Sequence, residues 1–375
     1  MTVLVVSAWF NPSNVNEGIF IHEFCEALQR NGVHVVLLSV KIFSIRQAFS
    51  CFRSTNISFP HNYRIEYVKC LKIASTGTMR ERVLRKVLRR LSTQKIECVH
   101  TQSVCNNITP YIAHQIAKHK LCKHIITEHY TSFEESGGRF FSPYLDKQQV
   151  EEIVKSAYKR VAVSRYAASL FESYFGADYI TIPNILSKVY FDAAFVKLPR
   201  SEKITFCFIG GLEKRKGILE LLSAFQQLQL PNIHLNIIGN GSLLNKVVSF
   251  IECHKLTRQI NFLGLNSPDQ IVEVLDASHA LISASDMETF GLVIAEAHLR
   301  GRPVIATNVG AVGELIDGEN GILFSSKNKT EELKSAIRKF ILSMESFDQY
   351  AIREKALNRF NESKVVGAYE NLYTQ

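Results

Sequence analysis

Two glutamates, Glu288 and Glu296, stand eight positions apart in the segment of this sequence that is best suited to bind an anion. A short apolar run ends just before Glu288, and Gly291 permits a tight turn before the apolar spacing of a helix begins. The amides of Thr289, Phe290 and Gly291 are therefore expected at a helix N-terminus, where N–H groups and the helix dipole attract a phosphate or a sugar hydroxyl. Residue types alone leave open that Glu288 caps the helix and that Glu296 is a surface acid.

Several common catalytic motifs are missing from the sequence. Gly239 and Gly241 follow a predicted strand, but the third glycine of a dinucleotide-binding Gly-x-Gly-x-x-Gly is absent. The sequence also holds no Walker motif, no Gly-x-Ser-x-Gly nucleophile motif and no histidine cluster with metal-ligand spacing. Asp286 and Glu288 are two acids in one loop, a pattern that is common without a metal. We therefore expect neither a metal ion nor a cofactor.

Strand-like and helix-like segments alternate along the whole chain and predict the elements that position these residues. A first series runs up to Ile182-Pro183-Asn184, and a second series follows it. The short apolar runs are typical of parallel strands that are covered on both faces. We therefore predict an α/β protein with two doubly wound, Rossmann-like domains facing across a cleft. The cleft, at the carboxyl ends of the strands, is the expected ligand site.

Composition agrees with a globular protein of two domains. The 375 residues are 46% hydrophobic and 21% charged, and the longest apolar runs hold about eight residues, against about 20 for a spanning helix. The eight cysteines are scattered without a Cys-x-x-Cys pair, which favours a reducing compartment. We expect a cytoplasmic protein.

The net charge of +9 lies wholly in the first half, because residues 186–375 hold 21 basic and 21 acidic residues. Residues 41–95 alone hold 13 basic residues against two acids, which favours a polyanion, a phosphorylated substrate or an anionic membrane. Within them, residues 79–91 have one apolar and one basic side as a helix. The basic side consists of Arg82, Arg85, Lys86, Arg89 and Arg90.

We expect this helix to dock on an anionic membrane surface with its apolar side down. The alternative is that the apolar side packs on the domain core and the basic residues are solvated. In that case the basic side still offers a patch for anionic lipid or for a lipid-diphosphate acceptor.

Residues 288–296, Glu-Thr-Phe-Gly-Leu-Val-Ile-Ala-Glu, resemble the Glu-x7-Glu signature of the retaining glycosyltransferases of family four, which have the GT-B fold. Residues 301–321 continue as that family's sequence does, and residues 208–217 resemble its phosphate-contacting loop. Gly18-Ile19-Phe20 and Thr127-Glu128-His129 resemble elements of its amino-terminal domain. The resemblance covers nearly the whole chain.

The resemblance implies a role for each matching residue. Glu296 would hold the ribose hydroxyls of a nucleotide, and Lys216 would meet its diphosphate. Glu288, with the three amides that follow it, would hold the donor sugar, and His129 would face that sugar from the other domain. His129 and Glu288 are thus the expected catalytic residues. Gly18 would let the first loop approach the phosphates.

The sequence departs from the family pattern at Gly211, which stands where the family usually has an arginine that contacts the diphosphate. Lys214 or Arg215 is the expected substitute.

The resemblance also implies the domain boundaries. In that family the last helix crosses back to the first domain, and residues 358–375 have helical apolar spacing. The implied domains are therefore residues 1–183 with 358–375, on the acceptor side, and residues 184–357, which bind the nucleotide sugar.

The activity implied is that of a metal-independent, retaining glycosyltransferase of the hexosyltransferase type. It would move a sugar from a nucleotide-diphosphate donor to a glycan or lipid-linked acceptor in cell-surface polysaccharide or glycolipid synthesis, on the inner face of the membrane. Two alternatives stay open. One is another enzyme of the same fold, a sugar-nucleotide epimerase or a phosphorylase. The other is a polyanion-binding protein on a degenerate transferase scaffold, although nucleic acid is not an expected partner because no RNA-binding motif is present.

Overall fold

A computed structural model describes residues 1–10, 18–43, 61–71, 76–104, 108–129, 144–199 and 201–375 of the chain. The chain divides into two compact units. Unit 1 consists of Met1–Ile185 and Glu362–Gln375, and unit 2 of Leu186–Asn361. These boundaries lie two and four residues from those that the sequence implies.

Unit 1 alternates strands and helices and ends with the last helix of the chain. Its elements are β1 (Thr2–Ser7), α1 (Ile19–Arg30), β2 (His34–Phe43), β3 (Arg64–Leu71), α2 (Thr76–Arg90), β4 (Cys98–Gln102), α3 (Thr109–Lys120), β5 (Lys123–Glu128), α4 (Lys147–Ser156), β6 (Lys159–Ala162), α5 (Arg165–Phe175) and β7 (Ile180–Thr181).

Unit 2 follows the same alternation. Its elements are α6 (Val189–Asp192), β8 (Ile204–Ile209), α7 (Ile218–Leu228), β9 (Ile233–Ile238), α8 (Leu244–Cys253), β10 (Ile260–Gly264), α9 (Pro268–Asp276), β11 (Ala280–Ser283), α10 (Leu292–Leu299), β12 (Val304–Thr307), α11 (Val312–Leu315), β13 (Gly321–Phe324), α12 (Lys329–Ser343) and α13 (Gln349–Arg359). The chain then returns to unit 1 as α14 (Glu362–Thr374).

All strand pairings in both sheets of the described chain are parallel. The sheet of unit 1 has the order β3-β2-β1-β4-β5-β6-β7, and that of unit 2 has the order β10-β9-β8-β11-β12-β13. The strand order reverses direction once in each sheet, between β1 and β4 in unit 1 and between β8 and β11 in unit 2. The predicted pair of doubly wound α/β units is therefore confirmed.

Strand β1 shows why its sequence is apolar at every position. Because successive side chains point to opposite faces, Val3 and Val5 join the core beneath α1 and α14, whereas Leu4 and Val6 join the core beneath α2 and α3. Helix α14 contributes its apolar and aromatic side to the first of these cores. The side chains buried there are Val365, Val366, Tyr369, Leu372 and Tyr373.

The prediction that the apolar side of residues 79–91 inserts into a membrane is wrong. Met79, Val83 and Val87 are buried in the core of unit 1, so helix α2 has no free apolar side to offer a bilayer. The alternative holds, because all five residues of the basic side are exposed. We call Arg82, Arg85, Lys86, Arg89 and Arg90 the basic face. Other parts of the basic region, residues 44–60 and 72–75, lie outside the described residues.

Within the described ranges, no helix combines the length and the apolar character needed to cross a membrane.

Candidate functional site

The two motifs of unit 2 that the sequence singled out lie beside each other. The loop that carries Lys216 follows β8, and the loop that carries Glu288 follows β11. Strands β8 and β11 are hydrogen-bonded neighbours, and the strand order reverses between them. In open α/β sheets this reversal leaves a crevice outside the carboxyl ends of the strands, where ligands bind.

Lys216 and Glu288 form an ion pair in this crevice. The Lys216 ammonium donates a hydrogen bond to Glu288 Oε1, and both side chains are largely buried. The Ser285 hydroxyl donates to the same oxygen across 2.8 Å. The Glu288 carboxylate is therefore held in one orientation by two donors. Sequence reasoning missed the role of Ser285, although the residue lies within the segment that drew attention.

The loops after β8 and β11 touch through their backbones at Gly217. Its φ of +66° lies in the left-handed region, and a Cβ atom there would come within 2.0 Å of the Ala284 carbonyl oxygen. Glycine is therefore required both by conformation and by space. The Asp286 amide also donates to the Arg215 carbonyl oxygen at 2.7 Å. These contacts fix Lys216 against the loop of Glu288.

Lys329, the first residue of α12, binds the loop that follows β11. Its ammonium donates to the Ala284 carbonyl oxygen at 3.1 Å and also pairs with Asp286. Only 9% of the Lys329 side chain is exposed. No motif in the sequence pointed to this residue, because it lies 43 positions from Asp286.

Helix α10 begins directly after Gly291, as the sequence predicts, and Thr289 and Phe290 are buried beside Glu288. The Phe290 ring packs edge-on against Phe360 at a centroid distance of 5.9 Å, so its side chain serves the core of unit 2. Only the backbone of Phe290 remains a candidate for donor binding. Glu296 lies on the second turn of α10 and is half-buried.

Gly211 is not required by the backbone around it. Its φ lies outside the left-handed region, and a Cβ atom would meet only the Glu213 side chain, at 3.7 Å or more. Of the two expected substitutes for the missing arginine, Arg215 donates from Nε to Glu213 at 3.0 Å, whereas Lys214 is exposed. The charge of Arg215 is thus partly neutralised, and Lys214 is the cation with more freedom to reach a diphosphate.

In unit 1, His129 follows the carboxyl end of β5 and is surrounded by aromatic rings. Its ring centroid lies 5.0 Å from that of Phe20 and 6.1 Å from that of Trp9. Nε2 of His129 lies 2.7 Å from Oε1 of Gln102, at the end of β4. Burial lowers the pKa of His129 to about 3, and a side-chain hydrogen bond with Asn184 opposes this shift. The imidazole is therefore neutral at pH 7.

Gly18 belongs to the same edge of unit 1. It has a φ of +81°, and a Cβ atom there would come within 2.7 Å of the Trp9 carbonyl oxygen. Helix α1 begins at the next residue. The close approach of α1 to the end of β1 therefore requires glycine at this position.

Glu128, next to His129, is a fully buried carboxyl that the sequence did not single out for chemistry. It accepts hydrogen bonds from the Ser103 hydroxyl at 3.0 Å and from the Val104 amide at 3.2 Å. Burial nevertheless raises the pKa of Glu128 to about 8. These bonds hold the loop after β4, where Ser103 adopts a φ of +68°.

Two family models together match most of the sequence. A model described as Glycosyltransferase Family 4 matches residues 18–186, and one described as Glycosyl transferases group 1 matches residues 191–356. The chain belongs to the family-four glycosyltransferases. The matches include every residue of this family-four chain that was assigned above to the crevice of unit 2, together with Gly18 and His129.

Solved structures show the GT-B fold for this family-four chain. Sucrose-phosphate synthase from Thermosynechococcus elongatus superposes with a TM-score of 0.79 at 18% identity, covering 99% of this chain and 98% of that chain. Anabaena HepE in complex with UDP-glucose has a TM-score of 0.74 at 17% identity, with 100% of both chains covered.

Among curated relatives, N-acetyl-alpha-D-glucosaminyl L-malate synthase from Bacillus anthracis is 28% identical over 208 residues, which are 52% of this chain and 53% of that protein. The family-four chain spans about a third to about half of the length of the relatives that it matches at 29–34% identity.

Proposed function

We propose that this protein transfers a sugar from a nucleotide-diphosphate donor to a glycan or lipid-linked acceptor, with retention of anomeric configuration and without a metal ion. The pairing of Lys216 with Glu288 at the reversal of the strand order carries this proposal. It brings one cation and one oriented carboxylate to the place where α/β sheets bind nucleotides. A nucleotide sugar needs both, because its diphosphate is anionic and its sugar presents hydroxyl donors.

Lys216 is suited to the leaving diphosphate even while it pairs with Glu288. An ammonium group has three N–H donors, so it can hold the carboxylate and a phosphate oxygen together. Charge on the diphosphate grows as the bond to the sugar breaks, and a fixed cation stabilises that change. Lys216 and the amides at the start of α10 would thus do the work that a metal ion does elsewhere.

The proposed reaction is a front-face displacement. The bond between the anomeric carbon and the diphosphate oxygen breaks as the acceptor oxygen bonds to the same face of that carbon. The proton of the acceptor hydroxyl passes to the leaving phosphate oxygen, so the protein needs no nucleophile. His129, neutral at pH 7, would orient the donor sugar by a hydrogen bond without adding charge.

The relatives support a nucleotide-sugar donor, since one solved protein of the same fold holds UDP-glucose. The exposed basic face supports an anionic acceptor or membrane surface for unit 1. On this basis we propose a role in cell-surface polysaccharide or glycolipid synthesis, at the inner face of the membrane.

The experiment is a panel of nucleotide sugars, each incubated with the protein and candidate lipid-linked or glycan acceptors, with release of nucleoside diphosphate followed by chromatography. We expect one donor to release its diphosphate faster with an acceptor than without, and the product to keep the donor's anomeric configuration by NMR. Isomerisation of the intact nucleotide sugar would instead indicate an epimerase. Turnover that requires free phosphate would indicate a phosphorylase. Either result, or no turnover with any donor, contradicts the proposal.

A further inference from the structure

A chain of hydrogen bonds runs through the interior of unit 1 from His129 to the last helix. His129 Nε2 lies 2.7 Å from Gln102 Oε1, and Gln102 Nε2 lies 3.4 Å from His100 Nε2. His100 Nδ1 lies 2.7 Å from the hydroxyl of Tyr373 in α14. His100, Gln102 and Tyr373 are all buried. The last of these hydrogen bonds joins two residues, His100 and Tyr373, that lie 273 positions apart in the sequence.

The Gln102 amide determines which atom donates and which atom accepts in each of these hydrogen bonds. An amide oxygen only accepts, so His129 Nε2 must carry a hydrogen and donate it to Gln102. An amide nitrogen only donates, so His100 Nε2 must accept, and His100 Nδ1 then carries the hydrogen that it donates to Tyr373. The Thr127 hydroxyl, 2.7 Å from His100 Nε2, donates to the same nitrogen.

The His100 and His129 imidazoles are both neutral at pH 7, so each ring carries one N–H hydrogen, whose position defines the tautomer. Burial lowers the pKa of His100, as of His129, to about 3. A neutral histidine has two tautomers, and the partner of one ring nitrogen decides which of them forms. For His129 the partner of Nε2 is Gln102, beside a further side-chain hydrogen bond with Asn184, and the direction of the Gln102 amide in turn depends on His100.

We infer that Gln102, His100 and Tyr373 are positioning residues, which together hold His129 in the tautomer with its hydrogen on Nε2. Tyr373 is the far end of this chain. Its hydroxyl accepts the His100 Nδ1 hydrogen, and without that acceptor the other tautomer of His100 becomes favourable. His100 would then donate from Nε2, the Gln102 amide would turn over, and the hydrogen on His129 would move to Nδ1.

The inference rests on the proposed function only for its kinetic consequence, because the tautomer of His129 is a property of the folded chain. If His129 orients the donor sugar, a change of tautomer exchanges donor and acceptor between its two ring nitrogens and so changes the hydrogen bonds that the ring can make. Turnover would then fall while nucleoside diphosphate affinity, which depends on unit 2, stays the same.

The test uses the full chain with ¹⁵N-labelled histidine and long-range ¹H–¹⁵N NMR, which distinguishes the two neutral tautomers. The His129 signals are assigned by their loss in His129→Gln. In the unchanged protein we expect the Nε2–H form. In Tyr373→Phe we expect a shift towards the Nδ1–H form, with turnover reduced about tenfold, the effect of one hydrogen bond.

Tyr63→Phe is the matched control. Tyr63 is another buried tyrosine of unit 1, and its hydroxyl also lies 2.8 Å from a histidine nitrogen, Nδ1 of His22, but outside the chain of hydrogen bonds. It should leave the His129 tautomer unchanged. Gln102→Met is the second variant; it removes the acceptor of the Nε2 hydrogen and should also shift His129 towards the Nδ1–H form.

The inference is overturned if Tyr373→Phe leaves the tautomer unchanged, or if Tyr63→Phe changes it equally. A shifted tautomer in a protein that transfers no sugar would support the positioning chain and contradict the proposed function, so the two failures are distinguishable.

Discussion

The Lys216 ammonium donates a hydrogen bond to the Glu288 carboxylate and so joins two loops that lie 72 positions apart in the sequence. One loop follows β8 and the other follows β11, the two strands between which the sheet order reverses. In the proposed complex the diphosphate would lie at Lys216 and the sugar at Glu288. Substitutions of these two residues should therefore have different effects on diphosphate affinity and on turnover.

We expect His129→Ala and Glu288→Ala to lose turnover while nucleoside diphosphate affinity is kept. Each would lose a hydrogen bond to the sugar, and loss of a bond to a charged group costs about 1.5–3 kcal/mol, or roughly 10–150-fold for Glu288. Initial rates and calorimetric titrations measure the two effects. Glu332→Ala removes an exposed acid of unit 2 and is the control. Turnover within about threefold of normal in both variants would put the sugar pocket elsewhere.

Gly211→Arg should strengthen diphosphate binding, because the backbone and the space at this position accept a side chain. An added cation beside the phosphates should be worth about tenfold in affinity, with a marked salt dependence. Gly211→Gln, which adds length without charge, is the matched control. Equal diphosphate affinities in the Arg and Gln variants would show that residue 211 does not face the phosphates.

The sequence predicts the crevice of unit 2 well because its information is local. The apolar runs of β8 and β11, the turn at Gly291 and the spacing of Glu288 and Glu296 all lie within short windows. The sequence pattern did not predict strand β3, and the reason is physical. It is an edge strand in which Arg64, Glu66 and Lys69 interrupt the apolar residues, so it has no continuous apolar run.

Contacts between distant positions could not be predicted from spacing. Lys329 reaches Asp286 only because α12 begins beside the loop after β11, and His100 meets Tyr373 only because α14 returns to unit 1. The helical wheel of residues 79–91 showed correctly which side is apolar. It could not show that this side faces a core rather than a lipid, because both environments select the same residues.

Acid should destabilise unit 1. His100, His124 and His129 each have a pKa of about 3 in the folded protein, well below the ordinary 6.5, so the unfolded chain takes up protons first as the pH falls. From pH 7 to pH 5 each histidine costs about 2 kcal/mol. Glu128 acts in the opposite sense, because its raised pKa of about 8 destabilises the folded state fully only above pH 8, and this penalty declines as the pH falls from 7 to 5. The four groups together give a net loss of roughly 3 kcal/mol.

This loss is measured by urea unfolding followed through Trp9, the single tryptophan of the chain, which reports on unit 1. His124→Asn removes one titrating group and should reduce the loss between pH 7 and pH 5 by about 2 kcal/mol. An unchanged loss in His124→Asn would contradict the assignment of a neutral, buried imidazole.

The basic face should bind anionic vesicles through charge alone. Lys86 and Arg90 already donate to backbone carbonyl oxygens of β3, so the test variant changes Arg82, Arg85 and Arg89 to Gln. At about 1 kcal/mol for each basic residue, binding should weaken roughly 100-fold. Co-sedimentation with phosphatidylglycerol-containing and neutral vesicles, at low and high salt, measures it.

The control for this variant removes three exposed charges from unit 2, Lys246, Arg338 and Lys339. It should bind anionic vesicles as the unchanged protein does. Equal weakening in the test and control variants would show a dependence on net charge and not on the basic face.

The central claim, that the crevice between β8 and β11 holds a nucleoside diphosphate, is tested most directly by calorimetric titration with UDP, GDP, ADP and TDP. We expect one of them to bind the unchanged protein, and Lys216→Ala and Glu296→Ala each to weaken that binding roughly 10–150-fold without loss of folding. Failure of all four to bind, or full affinity in both variants, would contradict the claim.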